Sequence, residues 1–202
     1  MGPKRVLLIF YRNPEKGKVK TRLASTVGED VALRLYLQLT EHTRRESFGL
    51  QDCDKIVFYS NTVEKNDIWT TTFFQKQQQL GDDLGQRMRN AFEHAFAAGY
   101  EQACIIGTDC LELKSKILTE AFEQLNNVDA VIGPAKDGGY YLLGLKRIIP
   151  DVFFDKKWST DSVLQDTIED FKKLQLSFRE LETLTDVDTE DDLPPDWQSA
   201  LI

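Results

Sequence analysis

Histidine and cysteine are scarce in this chain, with two histidines and three cysteines in 202 residues. Cys53, Cys104 and Cys110 are odd in number and form no Cys-x-x-Cys pair. That excludes a disulfide framework and, with so few histidines, argues against a structural zinc site. Positive charge is also in deficit. The 25 lysines and arginines face 33 acidic residues, for a formal net charge of −8. Nucleic-acid and anionic-membrane binders usually carry the opposite balance, so neither partner is expected. No apolar run approaches the ~18 residues a membrane span needs. No secretory leader precedes Val6, and Met1-Gly2 lacks the Ser or Thr of a myristoylation signal. The expectation is a reduced, cytoplasmic protein. Internal repeats and low-complexity linkers are missing too, so residues 1–202 read as a single domain with ample length for a core.

What remains is an alternation of short apolar runs and helical stripes. Arg5–Tyr11, Lys55–Ser60, Ala103–Ile106 and Asp129–Pro134 are compact runs expected to form buried strands, with Arg5–Tyr11 first and central. Tyr140–Leu145 resumes as a strand, and Leu176–Leu181 reads as an edge strand. Between them, Val27–Phe48 keeps helical spacing through Val31, Leu35 and Leu39, with Leu33 and Leu37 widening the stripe. Leu84, Met88, Ala91, Phe92, Ala95 and Phe96 form a second stripe, ended by Gly99. Met88 is read as core. Ile117, Leu118, Ala121, Phe122 and Leu125 form a third stripe. A helix starting at Trp158-Ser159-Thr160 carries Val163, Leu164, Ile168 and Phe171. The polar segment Asn61–Gln79 is expected to be a weak helix and a connection, with Trp69, Phe73 and Phe74 packing. Strands alternating with helices imply an α/β fold with a mostly parallel, mixed sheet flanked by helices.

The chemistry gathers at predicted strand ends, where open α/β sheets bind ligands. Gln102–Ile106 stops at Gly107 and delivers Asp109, which reads either as a ligand for the site or as a cap of the next helix. After the first strand, Arg12, Lys16, Lys18, Lys20 and Arg22 place five cations in eleven residues. This local inversion of charge suits a phosphate cradle, although charge runs also form plain solvated loops. Gly81 and Gly85 frame a helix start with Asp82 or Asp83 as cap, and Arg87 and Arg89 lie off its apolar stripe. Asp137-Gly138-Gly139 is either a hairpin turn or a surface on which a flat sugar or base rests against bare backbone. In Asp186-Val187-Asp188 the alternation turns both carboxylates to one side, as metal ligands or as caps ahead of Glu190.

These motifs occur together and in order: Arg12-x-Pro14-x-x-Gly17-x-Val19-Lys-Thr-Arg-Leu-Ala24, Gly81-x-Asp83-Leu-Gly-x-Arg-Met88, Ile106-Gly-Thr-Asp-Cys110, Gly133-Pro-Ala-x-Asp-Gly-Gly-Tyr-Tyr141, Trp158-Ser-Thr160 and Asp186-Val-Asp-Thr189. The set resembles the bacterial glycosyltransferase-like family DUF2064, within the nucleotide-diphospho-sugar transferase superfamily of GT-A fold, and covers nearly the whole chain. The basic loop also resembles that of guanylyltransferases acting on phospholactate, and Asp-x-Asp-Thr resembles the tail of several nucleotidyltransferases. Leu111 departs from the family, which usually has proline there.

The resemblance implies a GT-A transferase that moves a group from an NTP or an NDP-sugar to a small acceptor. Nucleotidyl transfer with release of pyrophosphate is the first reading and glycosyl transfer the second; a non-catalytic nucleotide-binding module is a third. Mg²⁺ or Mn²⁺ would be held by Asp109 with Asp188 or Asp186. Lys20, Arg22 and Asp109 would be catalytic. Arg12, Lys20, Thr21, Arg22, Gly81, Asp83 and Arg87 would bind nucleotide and phosphate. Asp137, Gly138, Gly139, Tyr140, Trp158, Ser159 and Thr160 would bind the acceptor or sugar.

Overall fold

The computed structural model describes residues 4–195 and residue 197. Strand β1 (Arg5–Tyr11) is apolar on both faces because both faces are covered. Its even and odd residues go to different cores. Leu7 and Ile9 join Val57, Cys104, Ile106 and Tyr36 on one side, while Val6 and Leu8 join Ile56, Ala103, Ile105 and Phe92 on the other. Each Val, Leu, Ile or Phe among them contributes about 1.5–3 kcal/mol on removal from water, and this two-sided burial holds the layers together.

The chain continues through α1 (Thr21–Val27), α2 (Glu29–Phe48), β2 (Asp54–Tyr59), β3 (Gln75–Gln78), α3 (Leu84–Ala97) and β4 (Gln102–Ile106). Then follow α4 (Ser115–Gln124), β5 (Ala130–Pro134), β6 (Tyr140–Leu145), α5 (Val163–Lys173) and β7 (Phe178–Glu180). Short 3₁₀ turns occupy Pro150–Phe153 and Glu190–Asp192. One seven-stranded sheet runs in the order β3-β2-β1-β4-β6-β5-β7. Strand β6 lies antiparallel between β4 and β5, and every other pairing is parallel. The α/β class and the mixed, mostly parallel sheet match the expectation. Residues of α2 and α4 pack on one face, and residues of α3 and α5 on the other.

Three local expectations need correction. No helix forms in Asn61–Gln79; its end is instead β3, a parallel edge strand against β2. Trp69 and Phe74 from this segment are fully buried, whereas Phe73 lies exposed against Phe48. The helix expected over Val27–Phe48 is α2, which starts two residues later; the unexpected short helix α1 precedes it across Gly28, whose φ of 85° suits a residue without Cβ. Leu37 is exposed, so it does not widen the buried stripe. The helix placed at Trp158 begins at Val163. Helix α3 begins at Leu84 with Asp83 as its cap, as expected. Among the described residues no helix is long and apolar enough to cross a membrane.

Candidate active site

The parallel ladder brings the carboxyl ends of β1, β2 and β4 to one edge of the sheet. There a cleft of about 940 Å³ opens. Phe10, Arg12, Ser60, Ile106 and Asp109 line it from the strand ends, and Gly139 and Tyr140 enter where β6 begins. A smaller cavity beneath the basic loop is lined by Arg12, Lys20, Thr21, Arg22, Tyr36, Asp109 and Asp188.

Asp109 does not cap α4. The N-cap of that helix is Lys114, and Asp109 stands in the loop before it, lining both cavities. Its backbone carbonyl accepts from the Val187 amide at 2.9 Å, and Cys110 pairs with Asp186 as an isolated bridge. This short antiparallel contact splices residues 186–188 onto the end of β4. Val187 is buried with Leu23 and Leu39, while Asp186 and Asp188 both face the cleft, as their alternation predicts. Neither is a cap: Thr189 and Asp192 form the capping box of the 3₁₀ turn.

Four of the five loop cations border the two cavities, and Lys16 turns away to pair with Asp30 at 2.8 Å. Lys20 Nζ lies 2.5 Å from Asp109 Oδ1 and 3.2 Å from Asp188 Oδ1. Arg22 reaches the other Asp188 oxygen at 3.4 Å. The Lys20 side chain is 5% exposed, against 42% for Asp109 and 32% for Asp188, so the ammonium lies beneath the carboxylates. Burial pulls the Lys20 pKa down, but attraction to Asp109 and Asp188 outweighs it and the net shift is upward. Lys20 has left-handed backbone (φ 47°), as does Ser159 (φ 64°) on the facing wall. Such conformations cost on the order of 1–3 kcal/mol and concentrate at functional sites.

Asp186 is in a different state. Burial, then the neighbouring charges of Asp109 and Asp137, push its pKa up to about 7 against the opposing pull of Lys20, with Asp188 adding to the rise. Most charges near this carboxylate are other carboxylates, so the cluster carries a surplus of negative charge that a cation would relieve. Among the described residues no group of three or more His, Cys, Asp or Glu side chains is disposed to hold a metal unaided. A hard ion held by one or two carboxylates and completed by phosphate oxygens and water suits both facts. Asp109 with either Asp188 or Asp186 therefore fits Mg²⁺ or Mn²⁺ in the company of a phosphate-bearing ligand.

The opposite wall is built around bare backbone. Gly138 has φ 88°, and a Cβ there would lie 2.1 Å from the Asp161 carbonyl oxygen. The Gly138 carbonyl accepts from the Leu164 amide at 2.9 Å, while the Asp137 carboxylate accepts from the Gly139 amide at 2.9 Å. The motif is the hairpin turn between antiparallel β5 and β6, and the space above Gly138 is filled by Asp161, whereas Gly139 borders the cleft. Gly139, Asp137, Trp158, Ser159 and Thr160 do line the cleft. The Trp158 indole lies where a Cβ on Gly85 would be, 2.4 Å from Nε1. Gly81 and Asp83 do not line the cleft. Asp83 caps α3 through the Gln86 amide, and the Gly81 carbonyl accepts from Arg87 Nε at 3.0 Å, which sets Arg87 on the rim. Arg89 instead pairs with Glu93 and covers Phe154.

Two participants escaped the sequence pattern. Met88, read as core, lies in the buried cluster and also on the cleft, 3.9 Å from the Tyr140 hydroxyl. Tyr36 is the other. Its hydroxyl donates to the Arg12 carbonyl at 2.6 Å and accepts from the Arg12 amide at 3.1 Å, pinning the start of the basic loop. Burial and the nearby Asp109 charge raise its phenol far above the ordinary value, so it stays a neutral donor. Tyr36 follows Leu35 by one residue, about 100° round the helix from the apolar stripe, so the stripe did not mark it.

The DUF2064 family, described as an uncharacterized protein conserved in bacteria, matches residues 43–160. A candidate nucleotide-diphospho-sugar transferase from Desulfovibrio desulfuricans G20 is 33% identical, with a TM-score of 0.85 over 95% of this chain and 85% of that one. The inositol-1-phosphate CTP transferase of T. maritima is 11% identical, with a TM-score of 0.59 over 99% of this chain and 96% of that one. Glucosyl-3-phosphoglycerate synthase of Mycobacterium tuberculosis, solved with Mn²⁺, UDP and phosphoglyceric acid, is 10% identical, with a TM-score of 0.58 over 99% and 75%. At these last two identities the likeness is one of fold. No curated protein matches the chain.

Proposed function

This chain belongs to the DUF2064 family, and from that membership and its cleft we propose a GT-A transferase that uses nucleotides. Its reaction is nucleotidyl transfer from an NTP to a small acceptor, with release of pyrophosphate. One observation carries this choice over other chemistries: Arg12, Lys18, Lys20 and Arg22 border one end of the cleft, where Lys20 and Arg22 pair directly with Asp109 and Asp188 and Asp186 lies on the same cleft. Cations set against carboxylates at one end suit a polyphosphate and its divalent ion.

In this reading Arg12, Lys20, Thr21 and Arg22 hold the phosphates, with Arg87 at the rim and Gly81 and Asp83 supporting it. An acceptor oxygen bonds to the α-phosphorus as the bond to the pyrophosphate oxygen breaks, and the electron pair leaves with pyrophosphate. Lys20 and Arg22 stabilise the charge that gathers on the leaving group, the largest expected catalytic contribution. Asp109, with Asp188 or Asp186, holds Mg²⁺ or Mn²⁺, which when bound supplies Lewis-acid polarisation of phosphoryl oxygens. Asp137, Gly139, Tyr140, Trp158, Ser159 and Thr160 shape the acceptor side, and Gly138 sets their backbone. The whole chain acts as one domain in the cytoplasm.

The name of the 33% identical relative favours a second reading, glycosyl transfer from an NDP-sugar. A thermal-shift screen with and without Mg²⁺ or Mn²⁺ separates the two. A ligand at 100 times its Kd adds about 2.7 kcal/mol. Metal-dependent stabilisation by an NTP and by pyrophosphate, with NDP-sugars silent, is expected. Response to an NDP-sugar alone moves the assignment to glycosyl transfer, and silence from every nucleotide refutes both.

A further inference from the structure

We infer that Lys20 is a resident counter-cation that keeps the divalent ion out of the empty site, so that metal and nucleotide phosphates enter together. The inference rests on the proposed metal role of Asp109 and Asp188.

Four observations meet in it. The Lys20 ammonium contacts one oxygen of Asp109 and one of Asp188 at 2.5 and 3.2 Å. It is almost fully buried, while both carboxylates keep a solvent-facing side toward the cleft. Its backbone is left-handed, which a lysine rarely adopts. Finally, no cage of three or more protein ligands exists among the described residues to outbid a neighbouring positive charge.

Two carboxylates already neutralised in part by a lysine are poor ligands for a free dication, because the ammonium competes for the same lone pairs and repels the ion at close range. Lys20 also lines the small cavity with Arg12, Thr21 and Arg22. A polyphosphate reaching that cavity brings negative charge to all four residues. The ammonium then has phosphate oxygens to satisfy it, and the carboxylates are released to the ion that the phosphates carry. Metal affinity and nucleotide affinity are thereby coupled, and by linkage each strengthens the other equally.

Retention of Mn²⁺ by the protein, measured by equilibrium dialysis without nucleotide and with each NTP in turn, tests this. The wild type is expected to retain little Mn²⁺ alone and at least tenfold more with the NTP that stabilises it. Lys20→Met and Lys20→Gln, checked for folding by circular dichroism, should bind Mn²⁺ without nucleotide at least tenfold more tightly than the wild type. Lys20→Arg, which keeps the charge, should not. If either neutral variant folds and binds free Mn²⁺ no better than the wild type, while the wild type retains Mn²⁺ with an NTP, the counter-cation role is overturned and the metal site stands. If no protein retains Mn²⁺ under any condition, the metal role and this inference fall together.

Discussion

Replacing Gly85 with alanine is a test in which two physical effects have opposite signs. In a helix, alanine is ordinarily better than glycine by about 0.5–1 kcal/mol, because glycine loses more backbone entropy. Gly85 lies in the first turn of α3, so Gly85→Ala would normally stabilise the protein. Here the new Cβ would stand 2.4 Å from Trp158 Nε1 and 2.5 Å from Cε2 and Cζ2. The indole must retreat by about 1 Å, and overpacking of this kind costs about 1–3 kcal/mol. The steric effect wins, leaving a net loss of about 1–2 kcal/mol and a melting temperature lower by roughly 2–8 °C for a chain of this length. In a Trp158→Ala background the obstacle is gone and the same substitution should raise stability by about 0.5–1 kcal/mol. Thermal melts of the four proteins give a coupling of about 1.5–3 kcal/mol. Equal stabilisation by Gly85→Ala in both backgrounds would show that the indole does not rest on this helix, and the described wall of the cleft would be wrong.

Asp109→Asn should abolish metal-dependent stabilisation by nucleotide in thermal-shift assays and reduce product formation by about 10²–10³-fold, while the protein still folds. Tyr36→Phe removes both hydrogen bonds to the Arg12 backbone, costing about 1–3 kcal/mol; faster hydrogen exchange at the Arg12 amide is the specific readout. His42 is buried, with Nε2 donating to the Leu113 carbonyl and Nδ1 facing Arg45, a neutral tautomer with no room for a second proton. Burial lowers its pKa, so the unfolded chain takes up a proton near pH 6.5 before the folded one does. The His42 contribution to stability should therefore fall as pH drops below about 6.5, and the stability difference between wild type and His42→Gln should narrow toward acid pH in pH-dependent melts.

How far the sequence foretold these features depended on burial. Strands β1, β4 and β5 were legible because burial on both faces demands continuous apolar runs, and the positions of Asp109, Asp186 and Asp188 followed from a strand end and a period of two. Strand β3 was illegible: Gln75–Gln78 sits at the sheet edge, is mostly exposed, and has no apolar face to show. Helix α1 was illegible because its seven residues bury only Leu23 and so show no repeating stripe. Spacing also could not reveal that Lys20 pairs across 168 positions with Asp188, or that Asp161 fills the space above Gly138. Long-range approach leaves no local period.

The contact between Gly138 and Asp161 has a consequence for how this cleft can change its clientele. The turn between β5 and β6 and the approach to α5 are fused through bare backbone, so this wall is stiff and cannot lengthen without losing its footing. Ser159, Thr160 and Asp161, by contrast, are exposed side chains mounted on that fixed frame. In the proposed reaction, new acceptors would be admitted by exchanging those side chains one at a time, while the carboxylates and the basic loop across the cleft keep their positions. Point substitution, rather than insertion, is the route by which such a wall diversifies.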